Sequence, residues 1–266
     1  NYLYRTVMIN HKLANIHPNA KIEKNVIIEP FATIYEDVVI GDNCWIASNA
    51  VVMSGARIGN NCKIFPGAII SAESQDLKYN GEYAITEIGD YTTIREYVTI
   101  HKGTLDKKIT KVGSNCLLMS YVHVAHDCTV GDNVVIANLV QLAGHVIVGD
   151  WVIIEGTAAI QQFVSIGQHS FIAGGSLVRK NVPPYVKAAR EPLSYIGVNT
   201  IGLRRRGFND QQIINIEDIY RVIYVQNSNM TTALRVADLE IPVSEEKEVI
   251  LEFIRNSTKG IMRGLS

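Results

Sequence analysis

The sequence predicts an all-β solenoid built from parallel strands, with a C-terminal α-helical cap. Two observations carry this prediction: aliphatic residues recur at every sixth position through most of the chain, and beyond residue 185 their spacing becomes helical. Six is a multiple of the two-residue period of a strand and not of the 3.6-residue period of a helix. The repeat therefore indicates short extended segments that each send one aliphatic side chain inward.

The six-residue register runs in three series, from Ile16 to Ile70, from Ile88 to Ile100 and from Val112 to Val178. Glycines that recur at 18-residue intervals, such as Gly113 and Gly131, set a larger unit of three segments. We therefore expect about eight three-sided coils, stacked at about 4.8 Å per coil. At the corners of the coils we expect these glycines to supply positive φ angles.

Small residues recur two positions before the aliphatic residues and share their inward face. All four cysteines occupy this position, namely Cys44, Cys62, Cys116 and Cys128. Metal and redox motifs need closely spaced cysteine pairs such as CxxC, and none occurs in the sequence. We therefore interpret the cysteines as buried structural residues.

The register keeps its phase across two gaps, so each gap is interpreted as a loop inserted into the solenoid. The loops cover residues 71–87 and 101–111, and long insertions in a tight solenoid are commonly functional. We assign residues 11–185 to the solenoid and residues 186–266 to an α-helical domain that covers its open strand edges. Within that domain, Asn209 with Gln212 predicts a capped helix start, Ser244 predicts another, and a shorter helix is expected over residues 232–239.

The composition is that of a globular protein. Of the 266 residues, 47% are hydrophobic and 19% are charged, and the formal net charge is -1. Such a composition excludes intrinsic disorder, and the near-neutral charge argues against nucleic acid or an anionic membrane surface as the main partner. No apolar run approaches the roughly 18–20 residues of a membrane helix, and no signal-peptide pattern is present, so we expect a cytoplasmic location. Residues 1–7 precede the first methionine, Met8, and are given no structural weight.

Three of the seven histidines, His123, His126 and His145, fall within about one coil length. At 18 residues per coil, His145 lies within one residue of directly above His126, so the three side chains can crowd one corner. Two chemistries fit such a cluster: a histidine that acts as general base on a hydroxyl, or three histidines that bind Zn²⁺ and activate water. A second feature is a run of three arginines at 204–206, which is either a solvated face or a clamp for phosphates.

Several motifs together closely resemble the UDP-N-acetylglucosamine O-acyltransferases of lipid A synthesis. They are QDLKY (75–79), IREYVTIHKGT (94–104), HVAHDCTVGD (123–132), LAGHV (142–146), NVPPY (181–185) and GLRRRGF (202–208). The resemblance implies a left-handed parallel β-helix that forms a homotrimer, with active sites in the clefts between subunits. It also implies an enzyme that moves a 3-hydroxyacyl chain from acyl carrier protein to the 3-hydroxyl of UDP-N-acetylglucosamine, the first step of lipid A biosynthesis.

The same resemblance implies catalytic roles for three residues. His126 would be the general base, Asp127 would orient or polarise it, and the backbone N–H of Gly144 would stabilise the oxyanion. Because consecutive strand residues point in opposite directions, Asp127 reaches His126 only if the chain bends there.

Further residues match positions that bind substrate in the family. The sugar, the phosphates or the acyl chain would contact Gln75, Asp76, Lys78, His101, His123, His145 and Gln162. The nucleotide end would contact Asn199, Arg205 and Arg206, and the missing side chain of Gly174 would leave room for a longer acyl chain. No metal and no other cofactor is implied, and the acidic acyl carrier protein would dock on exposed basic residues near the cleft and the cap.

Two positions depart from the family pattern. Gln161 stands where a histidine is expected, so that imidazole is not essential here, and Ile201 stands where an acidic residue is expected, which weakens the assignment of uracil recognition. Three alternatives are weighed: the sibling N-acyltransferase, for whose extra N-terminal domain the ten residues before the repeat leave no room; a zinc enzyme of the γ-carbonic-anhydrase type; and an ice-binding solenoid. The last predicts outward rows of threonine, which the sequence lacks.

Overall fold

The computed structural model describes residues 10–226 and 229–264. Residues 1–7, for which no structure was predicted from the sequence, lie outside the described part. The chain winds into a three-sided solenoid in which strands that are one coil apart pair in parallel, for example Thr33 with Val51 and His123 with Gln141. Each of the three faces is one sheet, and all strand pairs are parallel except the last pair of the third face, which is antiparallel.

The first face contains nine strands, which in order are Asn15–Ile16, Thr33–Ile34, Val51–Val52, Ile69–Ala72, Thr99–His101, His123–Val124, Gln141–Leu142, Ala159–Ile160 and Leu177–Val178. The second face contains Lys21–Ile22, Val39–Ile40, Ala56–Ile58, Ile85–Ile88, Ile109–Val112, Thr129–Val130, Ile147–Val148 and Ser165–Ile166. The third face contains Ile27–Ile28, Trp45–Ile46, Lys63–Ile64, Thr93–Ile94, Leu117–Leu118, Val135–Ile136, Ile153–Ile154, Phe171–Ile172, Val186–Ala189 and Ser194–Val198.

The interior is the column of aliphatic residues that the register predicts. From Ile28 to Val178, every register residue is at most 3% exposed, whereas Ile16 and Ile22 in the first described coil are half-buried. The four cysteines are free and buried in the same column, and burial raises the pKa of the Cys116 thiol to about 11. The strands one coil apart on either side of each insertion pair with each other as neighbouring coils do: Ile70 pairs with Ile100, and Ile88 pairs with Val112. The register therefore keeps its phase across both insertions.

The corners differ from the prediction in one respect. The residues with positive φ are not the repeating glycines but the residues two positions later, such as Asn43 at 58° and Asn61 at 56°. The glycines are required for close approach instead, because a Cβ on Gly41 would lie 2.8 Å from the carbonyl carbon and oxygen of Gly59 in the next coil. The expectation that these glycines supply the positive φ angles is therefore wrong.

We name the corners by the faces they join. The first corner, between the first and second faces, passes through residues 126, 144 and 162. The second corner, between the second and third faces, passes through residues 151, 169 and 185. The third corner, between the third and first faces, passes through residues 138, 156 and 174. These positions are separated by one coil along each corner.

The C-terminal region contains helices Thr200–Arg205, Asp210–Arg221, Met230–Glu240 and Glu245–Arg255, with a π-helical turn at Val222–Gln226. The predicted capping box at Asn209 and Gln212 is present, and the Ser244 side chain accepts a hydrogen bond from the Lys247 N–H. Residues 186–198, which the sequence assigned with the helices, form two strands that pair onto the third face. This pairing covers a strand edge that would otherwise stay open. Within the described ranges, no helix has the length and hydropathy to cross a membrane.

Candidate active site

The first corner brings a histidine and a carboxylate together at the end of strand His123–Val124. Asp127 has a φ of 58°, in the left-handed region, and this turns the chain so that its side chain folds back on His126. His126 Nδ1 and Asp127 Oδ2 are 2.8 Å apart. The bend on which the sequence made this contact depend is therefore present.

Asp127 is fully buried and is held by the second insertion. Thr104 donates from its hydroxyl to Oδ2 at 2.6 Å and from its N–H to Oδ1 at 3.0 Å, and the Lys107 N–H donates to Oδ1 at 3.3 Å. Burial opposes ionisation of Asp127, but the hydrogen bonds from Thr104 and His126 outweigh it and lower the pKa of the carboxyl below its usual value. Asp127 is therefore a carboxylate at neutral pH.

This fixed carboxylate determines the tautomer of His126. A carboxylate can only accept hydrogen bonds, so Nδ1 carries the proton of the neutral ring and Nε2 keeps its lone pair. Nε2 faces a groove of about 520 Å³ that is also lined by Gln75, Asp76, His123 and Gln162. The nearest acidic oxygen on that side is Asp76 Oδ2, at 3.8 Å from Nε2. The arrangement presents one free base to whatever occupies the groove.

Gly144 lies one coil beyond His126 and packs directly against its ring. A Cβ at this position would be 2.5 Å from both His126 Cε1 and Nε2, so a side chain here would displace the imidazole. The Gly144 N–H donates no hydrogen bond within the described residues, whereas the neighbouring Ala143 N–H donates to the Ile160 carbonyl at 3.1 Å. The chain thus places an unpartnered backbone donor beside the free imidazole nitrogen.

Of the other three predicted histidines, His123 lines the groove, His145 lines a neighbouring cavity and His101 packs against His123. His145 stacks on Phe163 at 4.5 Å and places Nε2 3.6 Å from Asp127 Oδ2. His101 and His123 have ring centroids 5.0 Å apart, and burial lowers the pKa of His123 to about 4. Burial also lowers the pKa of His101 and of His145. The rings of His101, His123 and His145 are therefore uncharged near pH 7.

Lys78 lies in the first insertion beside a second cavity of about 440 Å³, which His145 and Gln162 also line. Four predicted residues lie at other corners. Gly174 lies at the third corner, and Asn199, Arg205 and Arg206 lie beside the second. Asn199 precedes helix Thr200–Arg205 and donates from Nδ2 to the His169 carbonyl at 2.9 Å. A single chain does not bring these four residues to His126.

Sequence reasoning marked the second insertion as functional but missed the residues in it that hold the site. Thr104 and Lys107 bind Asp127, Thr110 accepts a hydrogen bond from the Asp127 N–H at 2.8 Å, and Asp106 lies 3.3 Å from His145 Nδ1. The signal available was the motif at 94–104, which ends on Thr104.

The zinc alternative has a geometric basis, since ligand atoms of His126, Asp127 and His145 lie within 4.8 Å of one another. In the described structure, however, Asp127 already accepts hydrogen bonds from Thr104 and from His126 Nδ1. These hydrogen bonds are those expected of a base, His126, and of a carboxylate that orients it, Asp127. The zinc alternative is therefore not favoured.

Comparison with known proteins decides the family. A curated relative from Sulfurihydrogenibium sp., described as acyl-[acyl-carrier-protein]--UDP-N-acetylglucosamine O-acyltransferase, is 52% identical over 94% of this chain and 93% of its own length. This chain belongs to the UDP-N-acetylglucosamine O-acyltransferase family. A relative of the same description from Trichlorobacter lovleyi is 51% identical over 96% of this chain and 99% of its own.

Family profiles and solved structures agree with the membership in the O-acyltransferase family. The profile described as "Udp N-acetylglucosamine O-acyltransferase; Domain 2" matches residues 181–262, and that of the bacterial transferase hexapeptide matches residues 37–72 and 109–144. The UDP-N-acetylglucosamine acyltransferase of Bacteroides fragilis superposes with a TM-score of 0.94 at 49% identity, covering 95% of this chain and 99% of its own. The structure from Acinetobacter baumannii gives 0.93 at 39% identity, over 96% and 100%. The chain is an acyltransferase, and its fold is a left-handed parallel β-helix with a C-terminal helical cap.

Proposed function

We propose that this acyltransferase moves a 3-hydroxyacyl group from acyl carrier protein to the 3-hydroxyl of UDP-N-acetylglucosamine, the first step of lipid A biosynthesis. The observation that carries the proposal is the pair of His126 and the buried Asp127, which presents a free Nε2 to the groove beside the Gly144 N–H. It is supported by relatives named for this reaction that are about half identical over nearly the whole chain.

The proposed chemistry uses the three residues in sequence. His126 Nε2 takes the proton of the sugar 3-hydroxyl as that oxygen attacks the thioester carbonyl carbon, and the Asp127 carboxylate stabilises the imidazolium that forms. The N–H of Gly144 donates to the oxyanion. When the carbon–sulfur bond breaks, the imidazolium returns its proton to the departing thiolate, so the products are the ester and the free thiol of acyl carrier protein.

Substrate contacts are proposed for the residues that line the groove and the adjoining cavity. Gln75, Asp76, His123 and Gln162 line the groove itself, and Lys78 and His145 line the neighbouring cavity. His101 packs behind His123 and would act on the substrate through its position beside that ring.

We also propose that the enzyme is a homotrimer whose sites lie between subunits. Gly174, Asn199, Arg205 and Arg206 are matched to the acyl chain and the nucleotide, yet they lie at corners other than that of His126. A second copy can supply these residues to the groove. If so, mixing a His126→Ala chain with an Arg206→Ala chain by co-expression should give oligomers with some restored activity, because part of the clefts would combine two intact halves. Oligomers with no restored activity would contradict shared sites.

The cytoplasmic location stays a prediction.

The direct test of the function is a transfer assay with UDP-N-acetylglucosamine and a panel of 3-hydroxyacyl carrier proteins, followed by mass spectrometry of the product. A single acyl ester on the 3-oxygen is expected. The amine analogue of the sugar nucleotide serves as a comparison acceptor. Hydrolysis of the thioester without an acylated sugar nucleotide, or acylation of the amine analogue alone, would overturn the assignment.

A further inference from the structure

The second corner changes its residue type over its last three coils. The left-handed position of this corner is asparagine in most coils, as at Asn43, Asn61, Asn115 and Asn133, with φ between 56° and 58°. Asparagine tolerates this conformation, whereas larger side chains adopt it at a cost. In the last three coils the position holds Trp151, His169 and Tyr185, with φ of 60°, 59° and 66°. The corner itself does not need these rings, and they contact residues of the C-terminal region.

The three rings form a column that ends beside the arginine run. Trp151 and His169 are 6.3 Å apart and nearly parallel at 4°, and His169 and Tyr185 are 5.5 Å apart at 16°. The Arg206 guanidinium carbon lies 5.5 Å from the centre of the Trp151 ring, and Arg206 Nη1 lies 3.4 Å from His169 Nδ1. Phe208 meets the edge of His169 at 5.1 Å. The column therefore forms one wall of the space that Arg206 occupies.

The contact between Arg206 and His169 has a fixed polarity. A guanidinium has only donors, so His169 Nδ1 accepts and its other nitrogen carries the proton of a neutral ring. Burial and the charge of Arg206 lower the pKa of His169 to about 4, which keeps the ring neutral near pH 7. The His169 carbonyl in turn accepts from Asn199 Nδ2 at 2.9 Å. Two of the three residues matched to the nucleotide end, Asn199 and Arg206, thus contact the same histidine.

Arg206 differs from Arg204, the first residue of the arginine run. Arg204 is exposed and pairs with Asp210 at 3.1 Å. Arg206 is half-buried, and within residues 10–226 and 229–264 it has no carboxylate within 4.0 Å. A partly desolvated cation that is held by rings and not by a carboxylate keeps its charge available for an anionic ligand.

We infer that Trp151 and His169 are positioning residues that hold the Arg206 guanidinium for the diphosphate of the nucleotide sugar. The inference rests on the proposed function, which supplies that diphosphate. Trp151 acts by stacking and His169 by accepting one N–H, so the remaining N–H groups of the guanidinium stay free for phosphate oxygens.

The test replaces the stacking ring with an aliphatic side chain. Trp151→Leu should raise the KM for UDP-N-acetylglucosamine by about 2- to 30-fold, the factor that corresponds to a cation–π contact, with kcat unchanged. Trp151→Phe should restore KM, and His169→Phe, which keeps a ring but removes the acceptor, should raise it. The matched control is Tyr91→Leu, which alters an aromatic residue at the same corner three coils away and should leave KM unchanged.

A double-mutant cycle decides whether Trp151 acts through Arg206. In an Arg206→Ala background, Trp151→Leu should have no further effect on KM. An unchanged KM for Trp151→Leu in the wild-type background, or the same loss in both backgrounds, would overturn the inference. Calorimetric titration with UDP gives the same comparison without turnover. The positioning role and the acyl transfer can therefore fail independently, since UDP affinity reports the first and product formation the second.

Discussion

Replacing Asp127 with asparagine should remove the basic lone pair from His126 Nε2 while a side chain of the same shape stays in the site. The groups that hydrogen-bond to the carboxylate are all donors: the Thr104 hydroxyl and N–H, the Lys107 N–H and His126 Nδ1. In Asp127→Asn, the amide oxygen can still accept from the two backbone N–H groups, and the amide NH₂ then faces His126 Nδ1. It would donate to that nitrogen, so the proton of the neutral ring would move to Nε2, where the base must be free.

The size of the effect follows from these contacts. A hydrogen bond to a charged group contributes about 1.5–3 kcal/mol, which corresponds to roughly a ten- to two-hundredfold loss of rate if it is lost in the transition state. The change of tautomer adds to this loss. We therefore expect kcat to fall by at least about a hundredfold, with a smaller change in KM.

The assay is the initial rate of product formation with both substrates saturating, accompanied by the thermal midpoint of each variant. The control is Asp106→Asn, because Asp106 also faces a histidine, at 3.3 Å from His145 Nδ1, but its side chain is 69% exposed. We expect the control to lose only a few-fold, since exposed pairs contribute little. If Asp127→Asn folded like the wild type and kept a kcat within threefold of it, the reasoning about the tautomer would be refuted.

Two further predictions concern the same groove and the fold around it. Gly144→Ala should lower kcat strongly with a small change in thermal midpoint, because its Cβ would lie 2.5 Å from His126 Nε2; wild-type kcat would show that the ring has room to move. Lowering the pH from about 6.5 towards 4 should reduce the free energy of unfolding. Burial holds the pKa of His123 and of His169 at about 4 in the folded protein, whereas these histidines bind protons from about pH 6.5 downwards in the unfolded chain. His169→Phe should lessen this pH dependence in thermal melts, and an unaltered slope would argue against the neutral buried ring.

Much of the solenoid could be predicted because its core repeats one physical requirement. Each coil must bury an aliphatic residue on each face, so the spacing of residues such as Ile28, Ile34 and Ile40 reports the strands directly. The helix starts at Asn209 and Ser244 were equally predictable, because a cap is a local interaction. The site was predicted from the spacing of His126 and His145, because residues about 18 apart lie next to each other in neighbouring coils.

The remainder depended on contacts that no local pattern encodes. The strands at residues 186–198 follow the proline pair that ends the register, and they form because the third face offers an open edge. The anchoring of Asp127 by Thr104 and Lys107 depends on how the second insertion folds back across 20 or more residues. The separation of Gly174 and Arg206 from His126 follows from the corner on which each falls, and a resemblance between motifs does not contain that information.

The central claim is that the imidazole at position 126 takes the proton of the sugar hydroxyl. The most direct measurement is single-turnover transfer by His126→Gln, which keeps a polar side chain of similar reach and removes the base. The account predicts that the rate falls by about a hundred- to ten-thousandfold while the affinity for UDP-N-acetylglucosamine is nearly unchanged. A variant that bound the sugar nucleotide normally and kept more than a tenth of the wild-type rate would contradict it.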